Sequence, residues 1–168
     1  MCCVVGIFLE ALEPYILNDQ LAEMSPSISQ CLLSHQEACG RLQAAEACIV
    51  HLSVPSLDLH QAMTLCWAHG LYDAIFYIYT RGMGDFVTPL EELVTELRGA
   101  LDGGQPLQDG QVTLGNKILV YVSCCLAGRA YPHGEIGPEQ LKQVRPCCVC
   151  CCVLLCVLML CCCVVCGW

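Results

Sequence analysis

Two cysteine–histidine pairs come closest, by residue type and spacing, to a metal site in this sequence. Cys48 precedes His51 and Cys66 precedes His69, each with two residues between them. On a helix this spacing places a thiol and an imidazole one turn apart, and both groups are good zinc ligands. The alternative is structural, because both cysteines fall on apolar helical faces and both histidines at helix C-termini, where a cation complements the helix dipole. We favour the structural interpretation.

Motifs for nucleophilic catalysis and nucleotide binding do not occur in the sequence. It contains no G-x-S-x-G, no P-loop and no G-x-G-x-x-G, and neither Cys–His pair has a third group to orient its imidazole. Glu91 and Glu92 point in different directions on a helix, which makes them poor acid–base partners. We therefore assign no catalytic, cofactor-binding or metal-binding residue, and we expect a protein that is not an enzyme.

The charge of the chain argues against nucleic acid as a partner. Its 168 residues, enough for one ordinary domain, carry 16 acidic and seven basic side chains, a formal net charge of −9. Binding to a phosphate backbone requires clusters of Lys and Arg, which the sequence lacks. Tyr72, Tyr77 and Tyr79, which could otherwise stack on bases, are therefore interpreted as packing groups.

Both ends of the chain differ in composition from the middle. Ten of the 22 residues from 147 to 168 are Cys and none is charged, and residues 1–6 are also apolar. The tail has the length of a transmembrane helix, with Lys142 and Arg145 as a cytoplasmic flank. A second interpretation is a gene-model artefact, because the amino acids of the tail have codons rich in T and G, as a translated GT-rich intron would give. A third interpretation is a thiol-rich tail that binds metal or carries a lipid. We predict an apolar extension over 1–6, a helical segment over 7–146 and a Cys-rich apolar tail over 147–168.

The cysteines before the tail indicate a reducing compartment. Cys31, Cys48 and Cys66 fall on apolar helical faces, where a free thiol packs as a small hydrophobic group. The start MCCVVGIF lacks the basic region and the cleavage site of a secretory signal. We expect a cytosolic setting with unpaired thiols.

Apolar residues recur at helical spacing along most of residues 7–146. Pro14 bends or ends the first predicted helix, and the apolar face of the second carries Ile28, Cys31 and Leu32. The predicted helices cover residues 7–18, 26 to a stop at Gly40, 41–52, 59–69, 72–81, 88–100, 114–126 and 138–144.

Local signals mark several helix ends. Gly70 stands where a C-terminal glycine ends a helix, and Asp58 can cap the start of the same helix. The run Thr88-Pro89-Leu90-Glu91 matches a capping box with Thr88 as N-cap. The run FYIYT could also form a strand, but its length and flanking glycines favour a helix. Residues 102–113 are rich in Gly, Pro and Asp and are predicted to form a loop.

Short helices in series predict an all-α fold. We expect an α-solenoid of stacked helical hairpins with about six to eight helices, because helix pairs recur roughly every 30 residues. A compact helical bundle has the same binary pattern and stays an alternative. Either fold acts by presenting surface to partners.

Three stretches of the chain resemble the vacuolar protein sorting-associated protein 8 family. They are FLEALEPYILNDQL, SLDLHQAMTLCWAHGLYDAIFYIYTRGMGDFVTPLEEL and KILVYVSCCLAGRAYPHGEI, and the phrases HGLYDA, TPLEELV and GRAYPxGxI carry the likeness. The resemblance runs from about Phe8 to Pro146 and is to the central helical part of a longer protein. The N-terminal β-propeller and the C-terminal RING-type zinc domain of such proteins do not occur in this sequence.

The resemblance implies a subunit of the CORVET endosomal tethering complex. It implies vesicle-mediated transport and endosome fusion to the vacuole or lysosome, with CORVET core subunits and an early-endosomal Rab GTPase as protein partners. It also implies a cytoplasmic protein, peripheral on early to late endosome membranes. A membrane-anchored helical adaptor that uses residues 147–168 is the alternative function, and a thiol-based metal or redox protein built on this tail is a third.

Exposed joints between helices are the first places to expect partner contacts, since loops on a rigid scaffold often carry binding. These are residues 82–85, 102–113 and 129–137. In the last of them, Arg129 and Tyr131 are interpreted as capping and packing the preceding helix. None of the three joints is assigned as a site.

Overall fold

The computed structural model describes the backbone of residues 2–102 and 108–151 and the side chains of residues 4–100 and 108–151. The chain divides into two compact units, Met1–Met83 and Gly84–Trp168. Within the described residues eight α-helices account for nearly all regular structure, and the only β pairing is an isolated bridge between Arg129 and Glu135. The predicted all-α class is confirmed.

The first unit contains five α-helices joined by short connections. The strand alternative for FYIYT is wrong, since its first two residues end an α-helix and the other three lie in the π-helical turn that follows. The elements are α1 (Cys2–Leu17), α2 (Pro26–Ala38), α3 (Leu42–His51), a 3₁₀ turn (Val54–Ser56), α4 (Leu59–His69) and α5 (Tyr72–Tyr77), which runs into the π-helical turn Ile78–Met83.

Local chemistry sets the ends of α4 as predicted. The carboxylate of Asp58 accepts a hydrogen bond from the backbone N–H of Gln61 at 3.1 Å, which satisfies a donor that the first turn leaves free. At the other end Gly70 adopts the left-handed conformation with φ 65°, which only glycine takes without strain. The hydrogen bond from the Gln61 N–H also lowers the pKa of Asp58, so the cap is charged near neutral pH.

The core of the first unit is built around α3. This helix contacts α1, α2, α4 and α5, and it buries Ala45, Cys48 and Ile49 completely. Tyr77 of α5 adds a polar tie, because its buried hydroxyl donates to the carbonyl of Leu52 at 2.6 Å. Tyr77 is therefore a packing group, as predicted.

The predicted apolar face of α2 is rotated relative to the observed one. Ile28 is 38 % exposed and Cys31 lies at the surface, whereas Leu32 is fully buried as expected. The buried face instead includes two polar residues, Ser29 and Gln36. The hydroxyl of Ser29 donates to the carbonyl of Ser56 across the unit. The amide nitrogen of Gln36 donates to Cys48, while its Oε1 accepts no hydrogen bond from the described part of the chain.

Helix α1 passes through Pro14 and ends at Leu17, so the proline does not terminate it. Leu9 and Ile16 face the core, while Phe8 is 54 % exposed. Residues 2–6, which make up most of the predicted N-terminal extension, belong to the same helix. The separation of residues 1–6 from the helical segment stays a prediction.

The second unit contains α6 (Thr88–Asp102), α7 (Asp109–Leu126) and α8 (residues 138–151). The predicted loop over 102–113 is too long, because α7 begins at Asp109 rather than near Leu114. The reason is a capping box in which the side chain of Gln111 accepts from the backbone N–H of Gln108 at 2.8 Å. Residues 103–107 lie outside the described residues.

The last helix also runs further than predicted, past Val144 to the end of the described residues at 151. Across residues 2–102 and 108–151, no helix combines the length and the apolar character that crossing a bilayer requires. Most of the predicted transmembrane segment, residues 152–168, lies outside the described residues.

Candidate interaction surface

In both Cys–His pairs the cysteine lies in the core and the histidine lies at the surface. Cys48 and Cys66 are fully buried, and burial raises the pKa of both thiols, to about 12 for Cys66, where the Glu46 carboxylate adds to the effect. The imidazoles pair with acids at the surface: His51 lies 2.8 Å from a carboxylate oxygen of Asp19, and His69 lies 3.0 Å from Glu37. This arrangement agrees with the structural interpretation of both pairs.

The joint at residues 82–85 contains the residue that caps the start of α6. Oδ1 of Asp85 accepts hydrogen bonds from the backbone N–H groups of Val87 and Thr88 at 2.9 and 3.0 Å, and Oδ2 accepts from the Thr88 hydroxyl at 2.6 Å. Thr88 is already the first residue of the helix, so its prediction as N-cap is wrong by one residue. The sequence reasoning missed Asp85, which supplies the cap from three residues upstream.

We expect the replacement Asp85→Ala to lower the free energy of unfolding by about 1 kcal/mol at pH 7, the usual size of a lost cap. Burial acts to raise the pKa of Asp85, but hydrogen bonds from the Thr88 hydroxyl and the two N–H groups outweigh it and the pKa is lowered. A lowered pKa means that the stabilisation is complete above the unfolded value, about 3.9, and is lost as pH falls through the folded value. The difference between wild type and variant should therefore shrink below about pH 4.

Urea denaturation at pH 7 and pH 3 measures this difference. Glu96→Gln is the matched control, since Glu96 lies exposed on the same helix. An Asp85→Ala penalty that stays constant between the two pH values would contradict the capping role.

The joint at residues 129–137 folds back on itself. Arg129 pairs with Glu135 in the isolated bridge, and the ring of Tyr131 packs edge-on against Tyr121 with centroids 6.4 Å apart. These contacts support the interpretation that the joint packs against the preceding helix, and its use as a binding loop stays untested.

A surface groove lies between α2 and α4. It has a volume of about 310 Å³, at the lower end of the range for ligand pockets. Its floor is apolar and its rim is polar. The lining residues are Leu33, Glu37, His60, Gln61, Thr64, Leu65 and Ala68.

One polar atom in this groove is buried without a partner. The amide nitrogen of Gln61 donates to the hydroxyl of Ser34 at 2.9 Å, while its Oε1 accepts no hydrogen bond from the described part of the chain. A buried acceptor left unpaired costs free energy. The groove is a candidate surface for contact with a partner.

Short helices that pack in series are the architecture of a helical-repeat protein. Residues 7–153 match the family described as Vps8 central TPR, and the chain belongs to that family. It is 49 % identical over 136 residues to the mouse vacuolar protein sorting-associated protein 8 homolog and 48 % identical to the human one. The Drosophila melanogaster homolog is 34 % identical over 142 residues.

The match covers 81 % of this chain but 10 % of the mouse and human relatives, so the chain spans about a tenth of their length. The Saccharomyces cerevisiae protein of the same name is 24 % identical over 135 residues. No solved structure matches the chain. The family match confirms the predicted resemblance, and the fold is of the predicted helical-repeat class.

Proposed function

We propose that this chain is a non-enzymatic scaffold segment of a CORVET-like endosomal tethering subunit. The observation that carries the proposal is its membership of a family whose members are named for vacuolar protein sorting. Its role would be in vesicle-mediated transport and endosome fusion to the vacuole or lysosome. The protein would reach early to late endosome membranes through its partners.

The groove between α2 and α4 supports a binding role rather than a passive spacer. Thr64 and Ala68 lie exposed one turn apart on α4. A partner segment that lies in the groove would contact both, because residues four apart on a helix share one face. The CORVET core subunits and an early-endosomal Rab GTPase in its GTP form are the proposed partners.

Pull-down of these partners with the full chain tests the proposal. We expect at least one of them to bind, and we expect the double variant Thr64→Arg, Ala68→Arg to weaken that binding about tenfold or more, as loss of an interface centre does. Gln43→Arg is the control, since Gln43 is exposed on α3, away from the groove residues. No binding to any of these partners would contradict the tethering role, and equal binding by both variants would contradict the groove.

A further inference from the structure

Three side chains outside the groove converge where α1 meets α2. His35 and Cys39 lie four residues apart, at the C-terminal end of α2, and Glu10 lies opposite them on α1. Nε2 of His35 is 3.1 Å from Oε1 of Glu10 and 3.8 Å from Sγ of Cys39, and the three ligand atoms all lie within 4.8 Å of one another. We propose that Glu10, His35 and Cys39 bind a zinc ion that links α1 to α2.

Two of the three separations between the ligand atoms are close to those of a tetrahedral zinc site, and the third, between Glu10 and Cys39, is within 4.8 Å. With Zn–S of about 2.3 Å and Zn–N or Zn–O of about 2.0–2.1 Å, tetrahedral angles place sulfur about 3.6 Å from nitrogen and nitrogen about 3.3 Å from oxygen. The observed values of 3.8 and 3.1 Å differ from these by a few tenths of an ångström. Small side-chain rotations would therefore bring the three ligands to one ion.

The position of the imidazole depends on a glycine in α1. A Cβ atom at Gly6 would lie 2.9 Å from Cε1 of His35, too close for a real contact. The absence of a side chain at this position lets the ring pack against α1 with Nε2 beside Glu10, one turn further along. Gly6 is thus a positioning residue for the proposed ligand.

Ligand chemistry favours zinc over magnesium and calcium. A thiolate, an imidazole and a carboxylate together suit a borderline-soft ion, whereas magnesium and calcium prefer oxygen ligands alone. Zinc binding would displace the thiol proton of Cys39 to solvent, and the two negative ligands would then balance the charge of the ion. Glu10 and Cys39 are both exposed, so a fourth position stays open to water.

One cation already lies near the carboxylate of Glu10. A guanidinium nitrogen of Arg41 is 3.9 Å from Oε1 of Glu10, but another is 2.6 Å from Glu13. Glu13 therefore holds Arg41, and Glu10 is left with a weak ion pair that a divalent ion would outcompete. The alternative for the cluster is a surface ion pair between Glu10 and His35, worth little in itself.

Zinc titration of the full, reduced chain tests the site, with the imidazole ¹⁵N resonances of His35 followed by NMR. The histidine readout separates this site from the Cys-rich tail, which contains no His. We expect zinc to shift the His35 resonances in wild type. We expect Cys39→Ser and Glu10→Gln to weaken that binding at least about tenfold, since even loss of an outer-shell partner costs this much.

Two further variants sharpen the test. Cys31→Ser is the matched control, because Cys31 is an exposed cysteine on α2 outside the cluster, and it should bind zinc as wild type does. Gly6→Ala should weaken binding without removing a ligand, because it displaces the imidazole. All the ligand side chains lie at least partly at the surface, and circular dichroism verifies that each variant folds. Unshifted His35 resonances at saturating zinc, or equal affinity in Cys39→Ser and Cys31→Ser, would overturn the proposal.

Discussion

Replacement of Tyr121 by alanine is expected to lower the free energy of unfolding by about 3–5 kcal/mol, the range for a large aromatic side chain lost from a core. Tyr121 lies in α7, is fully buried and packs edge-on against Tyr131. Its hydroxyl donates to the carbonyl of Phe86 at 2.7 Å. Alanine would therefore remove packing and a hydrogen bond together, and urea denaturation measures the total.

Phenylalanine at the same position separates the two contributions. Tyr121→Phe keeps the ring and leaves the Phe86 carbonyl without this donor, so we expect a loss of about 1–2 kcal/mol. Burial raises the pKa of Tyr121, so the phenol stays protonated as a donor over the working pH range. Val120→Ala is the control, since Val120 is 46 % exposed on the same helix. If Tyr121→Phe cost as much as Tyr121→Ala, the hydrogen bond rather than the packed ring would account for the stabilisation by Tyr121.

Both ends of α4 were predictable because their signals are local. Asp58 and Gly70 bound α4 as expected, because a cap acts within one turn and a left-handed residue needs only its own backbone freedom. The start of α6 at Thr88 was predicted correctly, but its capping residue was not. Thr88 and Asp85 are both good capping residues, and only the structure shows which of them accepts the free N–H groups.

The rotated face of α2 shows where the sequence pattern stops being informative. Ser29 and Gln36 are polar, so the hydrophobic pattern predicts that they are exposed and that Cys31 is buried. Their burial depends on Ser56 and Cys48, which are distant in the sequence. Polar residues become core residues only when such partners exist, and one sequence does not reveal them.

The two candidate sites differ in how much of them the sequence contains. His35 and Cys39 have a spacing that suits one helix face, a signal open to sequence reasoning, but Glu10 joins them only through the packing of α1 on α2. The groove has no such signal, because Leu33 and Thr64 are ordinary helix residues until α2 and α4 lie side by side.

The second large effect is expected at Ile49, in the centre of the first unit's core. The replacement Ile49→Ala should lower the free energy of unfolding by about 2–5 kcal/mol, because a fully buried aliphatic side chain is exchanged for a cavity. The cost should fall in the upper part of this range. Helix α3 contacts α1, α2, α4 and α5, so no single neighbour can move to fill the space without losing other contacts.

Hydrogen exchange measures the loss of stability in Ile49→Ala and shows which helices it affects. We expect faster exchange in α1, α2 and α5 of the variant, since their buried faces share the core with Ile49. Gln43→Ala on the exposed side of α3 is the matched control and should stay within about 0.5 kcal/mol of wild type. Faster exchange confined to α3 would mean that the helices of the first unit do not share one cooperative core. The contacts of α3 with four neighbouring helices, and the continuous cluster of buried residues, predict that they do.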